Sequence, residues 1–303
     1  AGSLTAATTM FFVGRLLDRY GARVILPVVV VLFGIALIFM GNVSQQWHLY
    51  AGFAAIRALG QGSLTLIPTT VIALWFVRLR GRVIALNTLG GVASQAAFPP
   101  LIHLLISAFG WRSAWVALAF IVWGLLLVPA ILLVRRSPES IGLLPDGDSS
   151  QSEQKIAVPV ESEINFTVSE ALKTRAFWLL IFAGSSQSLI GTALVFHNVS
   201  VMDSRGLDTV VAASALSVIA PGALFGTFLA GFLCDRFPNR FVLSVGQFIL
   251  IFAMLLTLVM AHPWEAIVYG VSLGLGGGMM MTTAAVIWPH YYGRKHIGSI
   301  RGM

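Results

Sequence analysis

Nine apolar runs of bilayer length, joined by connections whose basic residues fall on every other turn, leave this chain few possible folds. The runs cover about 1–17, 24–42, 48–76, 82–108, 111–134, 176–200, 208–233, 241–261 and 265–290. A hydrocarbon core roughly 30 Å thick is crossed by about 20 apolar residues of helix. The chain is 57% hydrophobic and 10% charged, against about 45–50% and 25% in soluble domains. A soluble core could not absorb so many runs. The period-two alternation of outer-membrane strands is missing. The expected fold class is an all-α, multi-pass membrane protein.

The basic residues orient it. Sixteen of the nineteen Lys and Arg fall on alternate connections: Arg15, Arg19 and Arg23; Arg78, Arg80 and Arg82; the stretch from Arg135 to Arg175; Arg236 and Arg240; and Arg294, Lys295 and Arg301. The opposite side holds Arg112 and Arg205, and Arg57 alone lies within a run. Basic loops stay cytoplasmic, so the linker side is expected to face the cytoplasm of a plasma or inner membrane. The net charge of +7 is spread over one membrane face, and nucleic acid is not an expected partner. A single cysteine, Cys234, leaves no internal disulfide and makes a structural zinc site implausible. No metal and no cofactor are expected.

Residues 135–175 interrupt the apolar pattern and hold seven of the twelve acids, among Pro, Ser and Gly. The reading is an N-terminal half over 1–134, a cytoplasmic linker over 135–175 and a C-terminal half over 176–303. Within the linker, 146–163 reads as flexible. "TVSE" then fits a capping box, with Thr167 as N-cap and Glu170 reaching back to it, so a surface helix is expected from about 167.

Two charged hinges repeat one spacing. In "GRLLDRYGAR" (14–23), Gly14, Asp18, Arg19, Gly21 and Arg23 stand out; "GFLCDRFPNR" (231–240) returns Gly231, Asp235, Arg236 and Arg240. "IRALGQGS" (56–63) has a weaker counterpart in "VSLGLGGG" (271–278). Two copies of one helical unit in the same orientation form a recurring transporter architecture, in which halves rock about a central site. Asp18 sits at the C-terminal end of its helix, where the macrodipole disfavours a carboxylate. It is better placed against the start of a neighbouring helix, or paired with Arg19 or Arg23. The plainer alternative is a solvated loop whose arginines only hold the topology.

Both hinges resemble the G-x-L-x-D-R-x-G-R/K loop motif of the major facilitator superfamily, and "IRALGQGS" resembles its R-x-x-G/Q-x-G motif. The resemblance implies a two-half helical bundle in which this sequence supplies helices two to ten of twelve. It also implies that the sequence is a fragment, with "GSIRGM" opening helix eleven, and that this fragment alone would not transport. In that family the loop Asp docks near the start of helix eleven when the inside is closed. Asp18 would then face 298–303, and Asp235 would face Gly81 and Arg82. "WFVRLRGRVIAL", "GWRSAW", "SPESIGLLPDGD" and "EALKTRAFWLL" resemble the monocarboxylate-transporter and oxalate–formate-antiporter branch, which implies a small organic anion, often with a proton. The branch's basic residue in helix eight is absent here.

Arg57 lies some 12 Å below the outer surface at about 1.5 Å per residue, where an unpaired Arg costs about 2.5–3.5 kcal/mol. No acid lies in the interior of a run, so Arg57 must pack against carbonyls, snorkel, or meet a substrate or coupling ion. In the superfamily helices four, seven and ten line the cavity, which adds Gln61, Gln187 and Thr282 to the candidates. Asn87, His103, His197 and Asn198 complete them, though a lone histidine is more often a packing residue. Gly270, Gly274 and Gly278, and Gly222 with Gly226, read as helix seams. Pro99–Pro100 and Pro221 read as kinks.

An intramembrane enzyme would need a nucleophile, a carboxylate pair or metal ligands. No H-E-x-x-H, no G-x-S-x-G and no acid inside a run is present, and no ring of charge suggests a channel. The expected function is secondary active transport of a small solute, with a proton as the candidate coupling ion. The alternative is a transporter-like receptor that binds without translocating. A monomer in the lipid bilayer is expected.

Overall fold

The computed structural model describes residues 2–147 and 165–303. Among them every regular element is helical: α1 (Gly2–Tyr20), α2 (Ala22–Gly41), α3 (Gln46–Ile56), α4 (Leu64–Trp75), α5 (Arg80–Val122), α6 (Val128–Leu132), α7 (Val168–Leu172), α8 (Arg175–Phe196), α9 (Asn198–Ser204), α10 (Thr209–Ser217), α11 (Ile219–Cys234), α12 (Asn239–Val259), α13 (Pro263–Tyr292) and α14 (Ile297–Arg301). The flexible reading of 146–163 falls, from 148 on, outside the described residues.

Seven of the described helices, some joining consecutive elements, are long and apolar enough to cross a membrane. The difference from nine has two sources. α1 is a continuous helix of 19 residues, but Thr5, Thr8, Thr9, Arg15, Asp18 and Arg19 keep it below the hydropathy of a span. The runs 82–108 and 111–134 fall mostly within α5, 43 residues that are two helices joined at a kink. The backbone breaks where the two runs were parted, at Gly110 with φ 75° and ψ 162°.

The kinks follow the prolines by a different rule from the one expected. Pro99 and Pro100 lie inside α5 with no non-helical residue beside them; the break is at Gly110. Elsewhere, deviations fall just before a proline, whose missing N–H strands the carbonyl four residues back. Pro221 follows the break between α10 and α11. Pro68 follows a wide-turned π segment at Arg57–Ser63, and Pro129 follows a second at Trp123–Leu127. The Ser63 hydroxyl donates to the Ala58 carbonyl five residues back at 3.1 Å, which fits the widened turn.

The chain divides into two compact units. One comprises 1–77, 91–171 and 292–303, the other 78–90 and 172–291. Each unit therefore takes a short piece from the opposite half of the sequence. In the first, Val13, Leu17, Ala22, Ile25, Val29 and Ile67 form one core cluster, and Val30, Leu37, Leu118, Ala119 and Val122 another. In the second, Leu250, Ala253, Met260, Tyr269, Leu273 and Met280 pack with the buried residues around Met202. There α13 runs against α10 and α11 with backbones in contact: a Cβ on Gly270, Gly274 or Gly278 would lie 2.2, 2.2 or 2.1 Å from the carbonyls of Ala215, Ile219 and Ala223. Thr167 and Glu170 cap each other before α7, Thr167 N donating to Glu170 Oε2 at 2.7 Å and Glu170 N to Thr167 Oγ1 at 3.3 Å.

Candidate functional site

Each charged hinge closes on a helix start from the other half of the sequence. Asp18, in the last turn of α1, accepts Gly298 N–H at 2.9 Å through Oδ1 and Ser299 N–H at 2.7 Å through Oδ2. Those amides open α14, where free N–H groups and the positive end of the helix favour a carboxylate. The helices can come this close because residues 14 and 298 are both glycine. A Cβ on Gly14 would stand 2.2 Å from the Gly298 carbonyl oxygen.

The second hinge repeats the arrangement inside the second unit. Asp235 Oδ1 accepts Gly81 N–H at 3.0 Å, at the start of α5, and its Oδ2 lies 3.3 Å from Arg82 Nε. Gly231 and Gly81 make the crossing: a Cβ on Gly81 would lie 2.3 Å from the Gly231 carbonyl, and one on Gly231 would lie 2.8 Å from the Gly81 carbonyl. The Gly-x-x-x-Asp spacing puts the small residue and the carboxylate on one helix face, one turn apart. Asp18 thus takes backbone amides rather than Arg19 or Arg23 as partners. Arg19 and Arg23 are exposed, and Arg19 lies over the Tyr20 ring at 5.3 Å. Arg236 lies over Phe232 at 4.0 Å and Arg240 over Phe241 at 5.0 Å. Gly21 turns the chain with φ 79°, its Cα packed on the Arg136 side chain.

The intramembrane candidates fall into separate places. Arg57 opens the π segment and donates through Nη1 to Gln61 Oε1 one turn on. Its guanidinium lies 5.6 Å from the Phe53 ring centre. Its Nε is buried without a hydrogen-bond partner among the described residues. In the second unit Gln187 on α8, with Ala183 and Gly184, faces Met280, Met281, Ala284 and Trp288 of α13 across a cavity of about 40 Å³. That volume holds water, not an organic solute. Thr282 is buried on another face of α13, and its hydroxyl finds no partner among the described residues. Asn198 is also buried, but its amide is committed to the Ala212 carbonyl at 2.9 Å, tying α9 to α10. Asn87, His103 and His197 are exposed within their own units.

The whole of 1–303 matches the Major Facilitator Superfamily model. This chain belongs to the Major Facilitator Superfamily. Its fold is similar to that of a major-facilitator proton:xylose symporter, XylE, with a TM-score of 0.54 and 14% identity over 99% of this chain and 81% of the other. In sequence it is 26% identical to the riboflavin transporter MCH5 of Saccharomyces cerevisiae over 80% of this chain and 47% of the relative. It is 26% identical to the membrane sensor protein UhpC of Salmonella typhimurium over 86% and 59%. It is 28% identical to human monocarboxylate transporter 11 over 72% and 43%. The chain spans about half the length of these relatives. Membership places it among multi-pass membrane proteins of a transporter superfamily, not among enzymes.

The sequence reading missed one group of polar residues. Glu139, Asp146, Asn165 and Arg294 make contacts far along the chain. "SPESIGLLPDGD" marked two of them, but served only as a resemblance to a branch.

Proposed function

We propose that this chain is the helical body of a secondary active transporter that moves a small organic anion by alternating access. It would sit as a monomer in a plasma or inner membrane with the 135–175 linker on the cytoplasmic side. The observation that carries the reading is the doubled fastening of a hinge carboxylate onto backbone amides contributed by the other half of the sequence. A bond made to free amides at a helix start can be exchanged for water without stranding a charge in hydrocarbon. It therefore suits a gate that opens and shuts.

Arg57 supports the anionic cargo. Its charge lies in an apolar helix, Gln61 takes one of its donors, and its Nε has no hydrogen-bond partner among the described residues. A carboxylate could accept from it. The relationship to monocarboxylate transporter 11 agrees with that chemistry. No acid lies in the interior of the apolar runs, and a proton is the candidate coupling ion, entering with the anion. The relationship to the membrane sensor UhpC favours a second reading, a receptor that binds a solute without moving it.

Uptake of labelled small carboxylates into vesicles carrying the full-length protein, with and without an inward proton gradient, tests both. Saturable uptake that rises with the gradient and is lost in Arg57→Ala is expected. Saturable binding without flux would replace the transporter with the receptor.

A further inference from the structure

Tyr50, Phe53, Arg57, Gln61 and Thr65 stand three or four residues apart along α3, the π segment and the start of α4, so they share one line along the helix. Tyr50 is 66% and Phe53 53% exposed, and Gln61 and Thr65 are exposed as well. Off this line Gly52, Ala58, Gly62 and Leu66 are buried and carry the packing of the helix. Two uncovered rings thus stand one and two turns before an intramembrane cation, within the first unit.

The polar members of the line decide what the rings face. Exposed aromatic side chains alone would suit lipid. Arg57 and Gln61 do not, because an intramembrane arginine is costly against lipid and turns to the bundle interior or to water. Thr65 and Thr69 extend the polar line, their hydroxyls donating to the carbonyls of Gln61 at 2.6 Å and Thr65 at 3.0 Å. The rings of Tyr50 and Phe53 therefore border the same aqueous space as the guanidinium. That group is oriented from both sides: Nη1 donates to Gln61 Oε1 on the following turn, and the Phe53 ring centre lies 5.6 Å away on the preceding one. Its Nε is buried without a partner among the described residues. The widened turn that opens at Arg57 is the kind of local departure that recurs at functional sites.

We propose that the cargo is an aromatic carboxylate, selected by Phe53 and Tyr50. Its carboxylate pairs with Arg57 beside Gln61, and its ring lies against the two exposed rings. The inference rests on the organic-anion reading above and narrows it to one substrate class. The surroundings of the guanidinium are asymmetric. Toward Gln61 and Thr65 the line is polar, and toward Phe53 and Tyr50 it is apolar and flat. A carboxylate bound at Arg57 gains by directing an apolar, planar substituent toward the second side. An aromatic ring there takes two ring faces out of water and meets them in offset or edge-on contact. A short aliphatic acid satisfies the charge but leaves both rings wet. Charge thus selects for an anion, and the rings select among anions.

Equilibrium binding of phenylacetate and of propionate to the purified full-length protein, at a pH where both are ionised, tests it. Wild type is expected to bind phenylacetate about tenfold or more tightly than propionate, the scale on which an apolar pocket separates ligands. Phe53→Leu keeps an apolar side chain but loses the ring, and should cut that preference to about threefold or less. Tyr50→Leu should cut it in the same direction, and Arg57→Ala should abolish binding of both anions. Phenylacetamide, with the same ring and no charge, should not compete; competition equal to that of phenylacetate would overturn the pairing with Arg57. Equal affinity for the two anions in wild type, or a preference that both leucine variants retain, would overturn the selection by the rings. Uptake of propionate in that case would leave the anion-transporter reading standing without it. Phenylacetate bound with the expected preference but never carried into vesicles would instead overturn the transporter and keep the aromatic site. Binding of neither anion would overturn both.

Discussion

The carboxylate of Asp18 accepts the backbone N–H of Gly298 at 2.9 Å, across 280 residues of sequence. Asp235 does the same for Gly81 at 3.0 Å, across 154 residues. In each case a glycine four residues before the aspartate lets the partner backbone approach, and the carboxylate then finds amides that the partner helix cannot satisfy itself. Packing and polar satisfaction are therefore one requirement. A side chain at either glycine would push the amides out of reach, and loss of the carboxylate would leave them buried and unpaired.

Removing the carboxylate should weaken this arrangement without unfolding the helices. Hydrogen bonds to a charged acceptor contribute about 1.5–3 kcal/mol, and Asp18→Ala loses two. The expected cost is about 2–3 kcal/mol, a fall of roughly 5 °C or more in thermal midpoint. Asp235→Ala should act in the same direction, losing the Gly81 amide bond and the ion pair to Arg82, whose side chain is 51% exposed and so contributes little. Thermal unfolding in detergent measures both, and an unchanged midpoint in either variant would contradict the expectation.

Glycine substitutions should separate close approach from helix propensity. Gly14→Ala places a Cβ 2.2 Å from the Gly298 carbonyl, a backbone atom that cannot swing away. It should cost more than about 2 kcal/mol, in the range of overpacked cores. Gly90→Ala, on α5 with nothing within 4 Å, should instead gain about 0.5–1 kcal/mol from helix propensity. The pair, measured side by side, tests whether the crossing or the glycine itself matters.

Much of this was legible in the sequence. The apolar runs located the helices because the bilayer sets both their length and their composition. The hinge spacing marked Asp18 and Asp235 because a charge at a helix end, repeated in the other half, needs a partner. The break at Gly110 was legible as the gap between two runs; the π segments before Pro68 and Pro129 were not. A proline states which carbonyl is stranded, but not whether the helix answers by kinking or by widening a turn upstream. Arg294 escaped for another reason. Its partners at 74, 139 and 165 share no spacing with it, and among the many arginines of these connections nothing local sets it apart.

Asn198 was a candidate for substrate contact, and its Nδ2 also ties α9 to α10. Its side chain is 1% exposed and donates to the Ala212 carbonyl. Asn198→Ala should cost about 1–2 kcal/mol, as expected when a buried acceptor is left unmade. Any uptake by the protein that remains folded should keep its apparent affinity. An affinity loss at unchanged stability would return Asn198 to the cargo site.

Two carboxylates outside the apolar runs should give stability opposite dependences on pH. Asp18 follows the first run, which ends near residue 17. Burial pushes its carboxyl above the usual 3.8, although Ser299 and Gly298 donors oppose the shift. The pH-dependent part of its contribution is therefore whole below 3.8 and is lost as the pH rises through the raised value, while the two amide bonds persist in either protonation state. For Glu139, burial alone would push the carboxyl up, but its own backbone amide, Ser137 and Arg294 outweigh that and hold it below the usual 4.5. Its contribution is whole above 4.5 and is lost as the pH falls through the lowered value. The midpoint difference between wild type and Asp18→Asn should then shrink as the pH is raised from about 3.5 to 7. The difference between wild type and Glu139→Gln should grow and level off. Thermal midpoints taken across that range check both signs, and two slopes of the same sign would mean that one carboxylate does not sit in the environment described.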